Sequence, residues 1–273
     1  RGRPEVRLHA IHEVSGEPVG GPAERPHDDW GKRPPPTREQ GFLSGPRNRP
    51  LELWWVLRTA AEFLECFRQL HFVGPCVTVF GSARYGEDHP AYALTRAMGS
   101  ALARAGFTVM TGGGPGLMEA ANRGAKEAGG YSVGCNINLP KEQKPNRFLD
   151  RWVEVNSFFV RKAVLAKYSY AFVAAPGGLG TLDELFEVAV LVQTGKMKDF
   201  PLVLLGVEYW QPLVDFLRDR LVGARTIDLA DVTRFHLTDS PEEAAQLIRA
   251  TALERFGLSS TPRVQRRWWL LER

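Results

Sequence analysis

Four short segments carry residues whose types and spacing could do chemistry. They are Phe80-Gly81-Ser82-Ala83-Arg84, Thr111-Gly112-Gly113-Gly114-Pro115-Gly116-Leu117-Met118-Glu119, Phe158-Phe159-Val160-Arg161-Lys162 and Ala174-Ala175-Pro176-Gly177-Gly178-Leu179-Gly180-Thr181-Leu182-Asp183-Glu184. A phosphate needs backbone N–H groups within hydrogen-bonding distance, and a Cβ blocks both that approach and the turns that aim several amides at one point. A helix starting directly afterwards adds its partial positive N-terminus. Gly177, Gly178 and Gly180 with Thr181 meet both requirements, and the Thr181 hydroxyl adds a possible donor. The competing reading is a strand-to-helix turn that uses glycine only for tight geometry. G-x-G-x-x-G fails because Asp183 stands where its last glycine belongs, and no Lys follows the glycines as in G-x-x-x-x-G-K-[ST]. The pattern therefore disfavours NAD and ATP and fits a ligand with a single phosphate.

Glu184 has two readings from its spacing. Thr181-Leu182-Asp183-Glu184 fits the capping box, in which the carboxylate only closes the helix start. Alternatively Glu184 is catalytic, with Glu187 one turn on along the same face, while Asp183 stabilises the helix start through the dipole. Arg161 and Lys162 open a predicted helix, where cations oppose the macrodipole, so either a carboxylate or phosphate partner or a solvated face accounts for them. Glu119 and Asn122 are explained by first-turn and cap effects. Met118 and Phe159 read first as core residues, and His89 before Pro90 as a solvent-side residue without a role.

These segments sit at the ends of predicted strands. Apolar positions Leu53, Leu57, Ala61, Leu64 and Phe67 recur at helical spacing up to Leu70, and Gly74-Pro75 stops that helix. Strands are then predicted at Cys76–Phe80, Phe107–Thr111, Tyr131–Ile137, Val153–Val155, Tyr170–Ala175, Pro201–Leu205 and Phe235–Leu237. Helices are predicted at Ala91–Ala105, Leu117–Ala128, Phe159–Lys167, Thr181–Thr194, Tyr209–Leu221 and Pro241–Leu253. Strands that are apolar throughout belong to a parallel sheet covered on both faces. The alternation predicts an α/β, Rossmann-like, doubly wound, mostly parallel sheet with helices on both faces, whose ligands bind beyond the strands' carboxyl ends.

Composition narrows the function classes. The chain has 273 residues and a net charge of +4. Residues 1–50 hold nine Lys/Arg and seven Asp/Glu, and residues 251–273 hold five Arg and two Glu, which leaves residues 51–250 at −1. A basic excess confined to the ends gives the folded part no field for a nucleic acid. Residues 1–50 also hold nine of the 19 prolines and seven glycines, so they are expected to be disordered. The expected organisation is a disordered Pro/Gly/Arg-rich segment at 1–50, a domain at 51–253 and a basic tail at 254–273. No run reaches the ~20 apolar residues of a membrane span, and the start has no signal-peptide layout. It begins with Arg, as a fragment or misassigned start would. Cys66, Cys76 and Cys135 form no C-x-x-C pair and the six histidines no ligand cluster. Those features predict a reduced, cytoplasmic protein without a metal site.

Three of the motifs together resemble one family. Gly112-Gly113-Gly114-Pro115-Gly116-Leu117-Met118-Glu119-Ala120-Ala121-Asn122, Arg161-Lys162 and Pro176 through Glu184 are similar to the Lonely Guy (LOG) family, the cytokinin riboside 5′-monophosphate phosphoribohydrolases long labelled lysine decarboxylases. The resemblance spans roughly residues 50–250. It implies hydrolysis of a nucleoside 5′-monophosphate to free base and ribose 5-phosphate, without a cofactor, by a homodimer or higher homo-oligomer with sites near the interface. It also implies Arg161 and Glu184 as the catalytic pair. Ser82, Gly113, Gly114, Met118, Lys162, Gly177, Gly178, Gly180 and Thr181 complete the candidate set as substrate-binding residues. The second loop reads G-G-G-P-G-L-M-E where plant-type members carry G-G-G-S-x-G-L-M-G, which implies a bacterial-type branch and leaves a cytokinin or a plain purine nucleotide such as AMP as substrate. The decarboxylase label would need a pyridoxal phosphate lysine, and no lysine stands in a Schiff-base setting. A binding module of the molybdenum-cofactor carrier type is the rival; retention of both Arg161 and Glu184 favours the enzyme.

Overall fold

The structure, a computed structural model, describes residues 38–43, 49–138, 144–198 and 200–256. After helices α1 (Arg38–Leu43) and α2 (Arg49–Leu70), strand and helix alternate: β1 (Cys76–Phe80), α3 (Pro90–Arg104), β2 (Thr108–Thr111), α4 (Leu117–Glu127) and β3 (Ser132–Ile137). Then follow β4 (Arg151–Val155), α5 (Phe158–Tyr168), β5 (Ser169–Ala174), α6 (Leu179–Gln193), β6 (Leu202–Leu205) and α7 (Val207–Phe216). A π-helical turn at Leu217–Val222 leads to α8 (Leu229–Thr233), β7 (Phe235–Thr238) and α9 (Pro241–Phe256).

The strands form one sheet in the order β4-β3-β2-β1-β5-β6-β7, with every pairing among the described residues parallel. Burial follows position. The inner strands β1, β2, β3 and β6 are buried at every residue, whereas edge strand β4 alternates. Alternate strand residues feed two cores. Cys76, Phe80 and Phe172 face Leu70 of α2, Val164 of α5 and Val188 of α6. Val77, Val79 and Val173 face Leu102 of α3, Ala125 of α4 and Ile248 of α9. The sheet is thus doubly wound, as the strand composition predicts. Successive strands run outward from β1 on one side and from β5 on the other. The β1/β5 junction is therefore the switch point, beyond whose strand ends a doubly wound sheet is expected to bind its ligand.

Helix α2 begins at Arg49, earlier than the periodicity predicts, and α1 lies within the segment expected to be disordered. Phe42 of α1 stacks on Trp55 of α2 at 3.8 Å, an aromatic contact invisible to a reading based on composition. The remainder of residues 1–50, like residues 257–273 of the predicted basic tail, lies outside the described residues. No helix among the described residues is long and apolar enough to cross a membrane.

Helices α3 and α4 meet backbone to backbone. A Cβ at Gly99 would strike the Ala121 carbonyl, and one at Gly124 would strike the Arg96 carbonyl. Neither oxygen can swing away as a side chain would. Gly99→Ala and Gly124→Ala should each lower the unfolding free energy by about 2 kcal/mol, overpacking outweighing the helix propensity gained. Chemical denaturation measures this, and an unchanged midpoint in both variants would mean the helices are free to separate.

Candidate active site

The three loops after β1, β2 and β5 interlock at the switch point. Ser82 N–H donates to the Pro176 carbonyl at 3.0 Å, and Leu117 N–H donates to the Ser82 carbonyl at 2.9 Å. Glycine permits this closeness. A Cβ at Gly116 would collide with the Ser82 carbonyl, and one at Gly81 would lie 2.8 Å from Leu117 Cβ. The Ser82 hydroxyl accepts from Arg84 N–H at 3.1 Å, so it shapes its own turn.

At the β5–α6 loop the glycines do different jobs. A Cβ at Gly177 would collide with Thr181 Oγ1, so that position is closed. Gly178 and Gly180 are exposed, and a Cβ on either would meet nothing described within 4 Å. Helix α6 begins at Leu179 with Gly178 as N-cap, no described side chain caps it, and its first turn carries no acid. The Gly178, Leu179 and Gly180 amides have no acceptor among the described residues, so this terminus presents uncompensated N–H groups and the positive end of the dipole to solvent. Thr181 is buried in that first turn, and its N–H donates to the Gly178 carbonyl at 3.0 Å.

This start removes the capping-box reading of Glu184. Thr181 is inside the helix, so it cannot be the N-cap of such a box, and the Glu184 carboxyl instead faces α5. Arg161 Nη1 lies 3.0 Å from Glu184 Oε1, and Arg161 Nε donates to the Cys135 carbonyl of β3 at 3.2 Å. The guanidinium occupies space that a Cβ at Gly112 would fill, beside Met118 Sδ, so Gly112 is bare where Arg161 passes. Glu184 is 9% exposed. Its Oε1 sits off the line of the Arg161 N–H bonds and has no hydrogen-bond donor among the described residues. Burial pushes the carboxyl up to about 7, with the Arg161 charge pulling against it. The result is a carboxyl poised near neutrality with acceptor capacity to spare.

Lys162 is engaged elsewhere. Its ammonium lies 2.8 Å from Asp183 Oδ1 and 3.2 Å from Glu187 Oε2. Burial alone would lower its pKa, but the bonds to Asp183 and Glu187 outweigh that and raise it. A Schiff-base lysine must shed its proton, which this setting opposes. Asp183 therefore serves as an ion-pair partner rather than a helix-start acid, and Glu187 shares that cation. Arg161 and Lys162 both face carboxylates, one of the alternatives their position offers.

The β2–α4 loop spends its polar groups internally. Gly113 and Gly116 adopt φ of +74° and +70°, which only glycine takes readily. Gly113 N–H donates to Thr111 Oγ1 at 2.9 Å. Asn146 Nδ2 donates to the Gly113 and Gly114 carbonyls at 3.2 and 3.1 Å and to Asn122 Oδ1 at 3.0 Å. Asn122 is fully buried, accepts from Thr111 Oγ1 at 2.7 Å and donates to Ser132 Oγ at 2.8 Å. It is the hub of the loop rather than a cap residue. Asn146, which sequence reasoning missed, gives no signal for this role, because the groups its amide donates to lie 24 to 33 residues upstream. Of the remaining residues, Glu119 accepts from the Tyr92 hydroxyl at 3.3 Å. His89 is not idle: its Nδ1 caps α3 by accepting from Ala91 N–H at 3.1 Å.

A family described as "Possible lysine decarboxylase" matches residues 118–248, a span containing Arg161, Lys162 and the whole β5–α6 loop. A cytokinin riboside 5′-monophosphate phosphoribohydrolase of Arabidopsis thaliana is 31% identical over 203 residues, which cover 67% of this chain and 92% of that protein. One from Rhodococcoides fascians is 33% identical over 153 residues, covering 54% of this chain and 75% of that protein. Among solved structures, the molybdenum cofactor carrier protein of Chlamydomonas reinhardtii aligns with a TM-score of 0.49 at 25% identity, over 65% of this chain and 97% of that one.

The raised Glu184 pKa has a stability consequence. The carboxyl is neutral in the folded protein below about 7 and ionised above it, whereas unfolded it ionises near 4.5. Burial of the charge thus costs stability progressively as pH rises from the unfolded to the folded value. Glu184→Gln, which stays neutral, should gain roughly 3 kcal/mol relative to the parent protein between pH 4.5 and pH 8. Denaturant unfolding at the two pH values reads this, and a difference independent of pH would mean the carboxyl is not buried as described.

Proposed function

We propose that this chain, which belongs to the Lonely Guy family of cytokinin riboside 5′-monophosphate phosphoribohydrolases, hydrolyses the N-glycosidic bond of a purine nucleoside 5′-monophosphate to free base and ribose 5-phosphate. The observation that carries the reading is the juxtaposition of two features on one helix. Glu184, buried and underused as an acceptor, follows four residues behind Gly180 in the uncapped α6 terminus. At 1.5 Å per residue that separation is about 6 Å, a sugar's reach from a phosphate held at the terminus.

The chemistry follows from that spacing. The first-turn amides and helix dipole take the 5′-phosphate, which fixes the ribose over the strand ends. Breaking the bond between base and C1′ builds positive charge on the ribose. The Glu184 carboxylate stabilises it and takes the proton of the water that adds to C1′. The departing base nitrogen takes a proton from solvent water, Glu184 returns the proton it gained to solvent, and ribose 5-phosphate is the second product. Arg161, anchored on the Cys135 carbonyl, keeps part of Glu184 ionised against its desolvation and fixes its rotamer. Ser82 and the Gly113–Gly114 turn form the opposite wall. Lys162, held by two carboxylates, braces α5 against α6 beside the site.

The same reading has the chain as a homodimer or higher homo-oligomer. Leu53, Leu57 and Leu64 support this, since they recur along one face of α2 and stay exposed in the single chain. Three free, buried cysteines fit the reducing cytoplasm.

Pure protein incubated with AMP, GMP, IMP and isopentenyl-AMP should release free base from the adenine nucleotides, and absence of base from all four would overturn the proposal. Glu184→Gln and Arg161→Ala should each lower turnover at least ~100-fold while folding normally. Because the working form of Glu184 is the carboxylate, kcat/KM should fall as pH drops through about 7, the limb vanishing in Glu184→Gln. A rate that instead rises toward acid would assign Glu184 as a proton donor.

A further inference from the structure

The β5–α6 loop owes its orientation to two carbonyl anchors. The Pro176 carbonyl accepts from Ser82 N–H at 3.0 Å, a main-chain bond to the neighbouring loop. The next carbonyl, that of Gly177, accepts from the Tyr209 hydroxyl at 2.7 Å. No peptide among the described residues is cis, so the N–H of each following residue points opposite its neighbour's carbonyl. With the Gly177 carbonyl turned toward Tyr209, the Gly178 N–H is turned the other way, and it has no acceptor among the described residues.

Tyr209 is itself held by a rigid base. Gly206, at φ +106°, starts α7 against the Pro176 ring, and its N–H donates to the Thr238 carbonyl at 3.0 Å. Val207 N–H donates to Asp239 Oδ1 at 2.8 Å. Trp210, 1% exposed, donates its Nε1–H at 3.0 Å to the carbonyl of Ala174, the last residue of β5. Adjacent residues of one helix thus grip the end of β5 and the loop beyond it. The flanking Pro176 and Gly178 carbonyls are bonded to Ser82, Thr181 and Leu182 N–H groups, and with no side chain on either glycine the Tyr209 hydroxyl is the one hydrogen bond among the described residues made to the Gly177–Gly178 peptide itself.

We infer that Tyr209 is a positioning residue for the phosphate subsite, orienting the Gly178 amide toward the 5′-phosphate of the substrate through its bond to the Gly177 carbonyl. The inference rests on the hydrolase reading for the identity of the anion, and on the loop geometry for the rest. An amide already aimed binds phosphate equally in substrate and transition state, so its loss falls on KM rather than kcat.

Tyr209→Phe removes the hydroxyl and keeps the ring. Calorimetric titration with ribose 5-phosphate should show Kd about tenfold weaker than in the parent, the scale of one hydrogen bond. KM for AMP should rise by a similar factor, with kcat within about twofold and the melting temperature little changed. An unchanged Kd overturns the inference, whether or not the melting temperature falls, as does a drop confined to kcat. A parent protein that binds ribose 5-phosphate but releases no base from AMP would sink the hydrolase reading alone. Failure of the parent to bind ribose 5-phosphate would sink both.

Discussion

The buried contact between Arg161 and Glu184 is the constraint around which the rest of the site is organised. Arg161 comes from α5 and Glu184 from α6, with β5 between those helices in the chain. Burying both charges costs more than an imperfect pair returns. The structure accepts that cost: the oxygen nearest the guanidinium is buried without a hydrogen bond, and the carboxyl hovers near neutrality. Gly112 leaves room for the guanidinium, the end of β3 offers the Cys135 carbonyl, and Met118 packs alongside. A pair that contributed only stability would be better made from apolar side chains; one that keeps a buried carboxylate partly ionised is suited to the stabilisation of a cation.

The two glycine-rich loops divide the labour. In the β2–α4 loop the carbonyls of Gly113 and Gly114 go to Asn146 and the Gly113 amide to Thr111, so glycine there serves shape. In the β5–α6 loop the carbonyls of Pro176 and Gly177 are tied down by Ser82 and Tyr209, and the amides of Gly178, Leu179 and Gly180 have no acceptor among the described residues. One loop is closed on itself and the other leaves amides unused. Both loops lead into helix starts, but the β5–α6 loop lies at the switch point itself, and β2 lies one strand away from it.

The fold was legible because burial on both faces leaves a plain mark: CVTVF and LVLL have no polar face to offer water. Helix starts were less so. The pattern Thr181-x-x-Glu184 has the form of a cap, yet α6 starts two residues before Thr181, with Gly178 as N-cap and no described side chain capping it. Asn122 lies on the buried side of α4 among Ala121 and Ala125, a polar residue on an apolar face that could have marked a buried network. Asn146 and Tyr209 act through main-chain carbonyls distant in sequence, and no spacing rule announces such contacts. Side chains that touch a ligand leave motifs; those that aim the backbone do not.

The central claim is geometric: a phosphate at the α6 terminus brings the sugar–base bond to the Arg161–Glu184 pair. A crystal structure of the Glu184→Gln variant with AMP bound tests it most directly. The account predicts phosphate oxygens about 3 Å from the backbone N–H groups between Gly178 and Thr181, with C1′ of the ribose beside the side chains of residues 184 and 161. AMP bound with its phosphate away from that terminus, or with its ribose out of reach of position 184, would contradict it.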